Sequence, residues 1–147
     1  MHVRHVIRML IVSMALTMLV AGCGSGALSK SDYVDKNNAI QKELASSISK
    51  LNTVDPNNKA TAAATLLDIQ KQLDATVAKL GKLTPPADWK DEHSDILKAL
   101  KGSSAEIGGM ATAVKRGDAK SYEASRSKLV TYNTNFSMAV NSINSSR

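Results

Sequence analysis

Apolar side chains recur at alternating intervals of three and four in four stretches of the 147-residue chain, the spacing that gathers them on one face of an α-helix. The first stretch carries Tyr33, Asn37, Ile40, Leu44, Ile48 and Leu51 behind the capping residues Ser29-Lys-Ser31-Asp32, and the cluster Asn52 to Asn58, with Asp55-Pro56-Asn57-Asn58, stops it. A second runs from Lys59 to Gly81, with Ala62, Leu66, Ile69, Leu73, Val77 and Leu80 on one side and Asp68, Lys71, Asp74 and Lys79 largely on the other. Gly81 and the pair Pro85-Pro86 close it. The third begins near Pro86 to Asp88 and repeats Trp89, His93, Ile96, Leu100, Ser103, Ile107, Met110 and Val114 as a heptad. Gly117-Asp118 then reads as a helix end followed by an N-cap. The fourth helix carries Tyr122, Ser125, Leu129, Tyr132, Phe136, Ala139 and Ile143 and frays at Asn144-Ser-Ser-Arg147.

Four helices of similar length joined by short turns favour antiparallel neighbours. The expected fold is all-α, an antiparallel up-down-up-down four-helix bundle over residues 29–147. Its alternative is a three-helix bundle with the second helix loosely docked, because that helix has the thinner apolar face.

One apolar run breaks the helical rhythm. Arg4, His5 and Arg8 precede the unbroken segment from Met9 to Ala21, which is 13 residues long. That is a positive n-region followed by an h-region, too short for the roughly 20 residues of a membrane-crossing helix. Small residues, Ala21 and Gly22, then lead to Cys23. The tetrapeptide Val20-Ala21-Gly22-Cys23 resembles the lipobox of bacterial lipoproteins. The resemblance implies that the Cys23 thiol receives a diacylglyceryl group, that the Gly22–Cys23 bond is cut, and that the new amino group is open to acylation, as with palmitate. Each buried methylene contributes about 0.8 kcal/mol, so one acyl chain binds reversibly and two hold.

Residues 1–22 are therefore expected to be a lipoprotein signal peptide and residues 23–28 a lipidated flexible tether. The alternatives are a plain secreted chain with a free Cys23 thiol and an uncleaved anchor helix. No twin-arginine pair is present, which points to export as an unfolded chain. The tether spans at most about 17 Å, so the domain is expected close to the extracytoplasmic face of a cell membrane. Gly24 and not Asp follows Cys23; in a cell with two membranes, analogy with lipoprotein sorting favours the outer one.

Charge and composition narrow the chemistry. Nineteen basic residues less Arg4 and Arg8 leave 17 against 13 acids, a mature net charge of +4. The excess is scattered, its densest pair being Lys115-Arg116, with no stripe, aromatic interleaving or glycine-rich phosphate loop. Pattern and compartment argue against a nucleic-acid partner, while weak attraction to anionic lipid or a teichoic-type polymer stays open. Cys23 is the only cysteine, so the domain makes no internal disulfide. His93 is the only histidine after Gly22, which argues against a zinc or copper site of the usual His and Cys type. No metal or other cofactor is expected.

Among single residues, Asn37, Trp89 and His93 are the candidate ligand or polar core contacts. His93 lies one turn after Trp89 among carboxylates, and reads either as a proton-transfer group or as a partly buried histidine bonded to an acid or a carbonyl. Asp88, Asp91, Glu92 and Asp95 lack the glycine-punctuated spacing of a calcium loop and complement the helix dipole. Asn37 and Ser103 interrupt apolar stripes, either lining a small polar pocket or fixing register. Gly108-Gly109 sits where two glycines each cost about 0.8 to 1 kcal/mol against alanine. They read as a close approach to the Tyr122 or Tyr132 region, a hinge, or simple tolerance. The five aromatics, Tyr33, Trp89, Tyr122, Tyr132 and Phe136, all fall on inward faces.

The segments Leu28-Ser-Lys-Ser-Asp-Tyr-Val-Asp-Lys-Asn-Asn-Ala-Ile40 and Leu83-Thr-Pro-Pro-Ala-Asp88, with Arg116-Gly-Asp118, resemble a group of small exported helical proteins of Gram-positive, especially actinobacterial, genomes. Gln41 stands where that pattern has Cys, so the helix-to-helix disulfide the resemblance implies is missing. No activity is attached to that group. The functional expectation is a non-enzymatic, membrane-anchored envelope lipoprotein whose helical domain binds a protein, polymer or small ligand, or helps organise the envelope. Its alternatives are a small-molecule sensing or solute-capture lipoprotein and an enzyme built on His93 and nearby carboxylates.

Overall fold

The computed structural model describes residues 26–49, with side chains through Ala45, and residues 58–146. Cys23, Gly22, the signal segment and the turn at 52–57 lie outside the described residues. The described chain is all-helical, with no strand. Helix α1 spans Lys30–Ser49, α2 Lys59–Leu80, α3 Lys90–Arg116 and α4 Ala119–Ser145, and a single 3-10 turn, Ala87–Trp89, leads into α3. Four helices fit the count of a four-helix bundle. None of the helices among the described residues is long and apolar enough to cross a membrane.

Local chemistry sets the boundaries. Asn58 caps α2 by accepting from the Thr61 amide at 3.1 Å, and Asp118 caps α4 by accepting from the Ser121 amide at 3.0 Å. Such caps satisfy amides that the first helical turn leaves without partners. Gly117 ends α3 in the left-handed region at φ 70°, where its missing Cβ removes the steric cost. The third helix therefore begins slightly later than the proline signal suggests, the residues after Pro86 first making the 3-10 turn.

Helix α3 is the centre of the packing. It lies against α4 and α2 over most of its length, whereas α1 is held more sparingly, chiefly on α2. The loosely docked second helix of the alternative reading is thus not what the structure has; α1 is the thinner attachment. Along α3, Trp89, His93, Ile96, Leu100, Ser103, Ile107 and Met110 are all buried, as the heptad requires, and only Val114 is half-buried. Leu73 and Leu80 from α2, Tyr33, Val34 and Leu44 from α1, and Leu129, Val140 and Ile143 from α4 complete the core. Tyr122, Tyr132 and Phe136 are half-buried at its margin, so the inward reading of the aromatics holds fully only for Tyr33 and Trp89.

Candidate functional site

Two of the three candidate residues meet at one end of the molecule. Trp89 is fully buried at the start of α3, and His93 follows one turn later at 7% exposure. Tyr33 of α1, also fully buried, joins them: its hydroxyl lies 2.9 Å from His93 Nδ1, and its ring lies 5.8 Å from the indole and 5.7 Å from the imidazole, edge-on to the latter. The Trp89 indole N–H donates to Ser146 Oγ at 2.8 Å, and Lys30 Nζ stands 4.9 Å from the Trp89 ring. Lys30 also pairs with Asp88 at 2.8 Å and donates to the Ser146 carbonyl at 3.1 Å. Immediately before α1, the Leu28 amide donates to the Thr84 carbonyl at 2.9 Å. The start of α1, the link between α2 and α3, and the end of α4 are fastened together here.

The electrostatics of the cluster favour neutral groups. Burial, helped by the negative charge of Glu92, pushes the Tyr33 phenol up to about 12. Burial also lowers the His93 pKa, because charging the imidazole costs its hydration. The hydrogen bond lets the Tyr33 O–H donate to Nδ1 of a neutral ring protonated at Nε2. His93 therefore bonds a phenol, where the sequence reading had given it an acid or a carbonyl. Hydrogen bonding to Lys30 holds the exposed Asp88 carboxyl below the usual range.

A pH dependence follows. His93 has its pKa lowered by folding, so as the pH falls through the free-imidazole value of 6.5 the unfolded chain takes up the proton first. The stability from keeping His93 neutral is full above that value and declines below it until the folded pKa is reached. Urea midpoints measured between about pH 7.5 and 5.5 should fall with acidity in the wild type, and His93→Gln should flatten that slope. A slope of equal size in the variant would assign the effect to other groups.

Asn37 takes no part in this cluster. It lies one turn beyond Tyr33, 5% exposed, and among the described residues its Oδ1 is buried without a partner, as are Asn38 Oδ1 and Gln41 Nε2. Buried polar atoms without partners are costly, which agrees with the sparse packing of α1.

A concavity of about 380 Å³ lies between α3 and α4. Asp91, Glu92 and Asp95, with Lys98 beyond them, form one wall, and Tyr132, Asn135 and Met138 belong to the other. Glu92 accepts from Ser142 at 2.8 Å across it, and Met138 is 64% exposed. The α4 wall is neutral, since no charged residue occurs from Leu129 to Ser146. Glycines set the spacing of the helices around it. A Cβ on Gly102 would run into the Tyr132 ring, one on Gly109 would lie 2.8 Å from Ser125 Oγ, and one on Gly108 would lie 2.7 Å from the Gln70 amide of α2. The Gly108-Gly109 pair thus faces two different helices, and the close approach to Tyr132 belongs to Gly102.

Tyr33 and Gly102 shape these two sites, and sequence reasoning did not single them out. The only signal for Tyr33 was its place four residues before Asn37 on the inward stripe, and Gly102 gave none. Among the described residues, no group of three or more His, Cys, Asp or Glu side chains could hold a metal ion. No protein-family profile, curated protein or solved structure compared with the chain matches it.

Proposed function

We propose that the protein is a lipoprotein of the cell envelope, tethered through Cys23 to the extracytoplasmic face of a membrane, whose helical domain binds or organises and does not catalyse. The observation that carries this reading is the N-terminal sequence: a basic start, a 13-residue apolar run and Val20-Ala21-Gly22-Cys23 in the right order and spacing. The bond from Leu28 to Thr84 supports it by fixing the end of the tether at one pole of the domain, so lipid at Cys23 would hold that pole at the membrane surface.

The paired positions support an antiparallel arrangement. Glu92 meets Ser142, Gly102 meets Tyr132, Glu106 meets Lys128 and Gly109 meets Ser125, so α3 and α4 run in opposite senses. Lys59 near Gly117, Gln70 near Gly108 and Asp74 bonded to Ser104 give α2 the same relation to α3. The start of α1 lies beside the end of α2, where Glu43 of α1 also meets Lys79, and the expected up-down-up-down order is the reading these pairings support for α2, α3 and α4.

A second reading, capture of a small solute, draws on the groove between α3 and α4. Its acidic and neutral walls with an exposed methionine suit a small organic cation better than an anion.

Fractionation of cells expressing wild type and Cys23→Ser tests the main reading. The wild type should pellet with membranes and label with radioactive palmitate; the serine variant should do neither while keeping its helical circular dichroism. A Cys23→Ser chain still membrane-bound after signal cleavage would refute the lipid anchor.

A further inference from the structure

The pole opposite the Leu28 end carries charge that helix stability does not explain. Lys59 opens α2, Lys115 and Arg116 close α3, and Lys120 lies in the first turn of α4. All four are exposed, and Lys59 Nζ reaches within 3.2 Å of where a Cβ on Gly117 would stand, which brings α2 to the α3–α4 turn. The single acid among them, Asp118, is engaged as the α4 cap, accepting from the Ser121 amide and hydroxyl and feeling Arg116. Among the described residues gathered here, four cations stand against this one anion, a local excess of +3. Among the described residues, Lys59, Lys115 and Lys120 have no ion-pair partner.

Cations at a helix C-terminus complement the macrodipole, so Lys115 and Arg116 have a structural explanation. Lys59 and Lys120 have the opposite sign of effect, because a positive side chain in a first turn opposes the dipole. Lys30 and Lys90 open α1 and α3 in the same way, but there Asp32, and Asp91 with Glu92, share the first turn; at α4 the capping Asp118 stands next to Lys120, and α2 alone has no acid in its first turn or at its cap. Exposed cations gathered at one pole, three of them without an ion-pair partner among the described residues, make a surface complementary to an anionic partner.

We infer that this pole binds an anionic phosphodiester polymer of the envelope. The choice of polymer over lipid rests on the tethered reading: α3 has 27 residues, about 40 Å at 1.5 Å per residue, which holds the pole many Debye lengths of about 8 Å from the anchoring membrane. The patch itself does not depend on the anchor.

The test uses the full chain carrying Cys23→Ser, so binding is measured whether or not lipid is attached in the cell, and fractionation judges the anchor separately. A glycerol-phosphate polymer is the probe, with phosphatidylglycerol vesicles as the second arm. Affinity for the polymer should fall steeply between about 50 and 200 mM salt. Combined Lys59→Gln, Lys115→Gln, Arg116→Gln and Lys120→Gln substitutions should weaken it roughly tenfold or more and flatten the salt slope. The pair Lys59→Gln and Lys120→Gln should raise Tm while lowering affinity, opposite signs that a folding defect cannot produce. Lys82→Gln with Lys90→Gln, at the tethered pole, should leave binding unchanged. No polymer binding at low salt, equal losses from the two poles, or vesicle binding as tight as polymer binding would each overturn the inference.

Discussion

Trp89→Ala should destabilise the domain by about 3 to 5 kcal/mol, the range for removing a large aromatic side chain from a packed interior. The indole is fully buried, and two distant parts of the chain meet on it: Tyr33 and Lys30 at the start of α1, and Ser146 just beyond α4. Its loss leaves a cavity at the pole where α1 is fastened, and α1 has little other packing to fall back on. Against a typical total of about 5 to 15 kcal/mol, such a loss brings the domain near its folding threshold. Because Trp89 is the only tryptophan, unfolding in urea has to be followed by circular dichroism. Trp89→Phe, which keeps an aromatic ring but not the N–H bonded to Ser146, should cost far less. An alanine variant within about 1 kcal/mol of wild type would mean that this pole collapses onto the gap and that Trp89 does not organise it.

The helices were legible in the sequence, and the contacts between them were not. The α3 stripe from Trp89 to Met110, the Lys59 start of α2 and the Gly117-Asp118 stop and restart all follow from local spacing and capping chemistry, which depend on a few neighbouring residues. The Tyr33–His93 bond joins residues 60 apart in sequence and exists only because the fold brings the first turn of α1 to the first turn of α3. No local pattern encodes that. The distribution of packing was misjudged for a related reason: the apolar face of α2 looks thin in hydrophobicity, but Ala63, Ile69, Leu73, Thr76 and Leu80 are all buried along it, while α1 buries Asn37, whose amide oxygen finds no partner among the described residues. At the far pole, the individual residues Lys115 and Arg116 were visible, but Lys59 joined them only once α2 was placed beside Gly117.

Glycine spacing gives the other large expected effect. Gly102→Ala should destabilise the domain by about 1 to 3 kcal/mol, the usual cost of forcing extra volume into a packed contact, despite the roughly 1 kcal/mol that alanine gains over glycine in a helix interior. The added methyl group meets the ring carbons of Tyr132, a rigid plate half-buried between α3 and α4. Either the ring leaves the interface or the helices part. Gly108→Ala is the internal control, since its methyl group meets only the end of the Gln70 side chain, 2.7 Å away, which can swing aside. That variant should be neutral or slightly more stable than wild type. The two glycines lie on the same helix with nearly equal propensity effects, so opposite signs would isolate the ring contact. Combining Gly102→Ala with Tyr132→Ala should cost less than the sum of the two single changes, because the methyl group then occupies space the ring has vacated. Additive losses would mean that the two residues do not touch in solution. Tyr132 also lines the groove with the acidic wall, so the single Gly102→Ala change should distort that groove while leaving the basic pole at Lys59 and Lys120 intact, and a ligand of either surface would then report which of the two it uses.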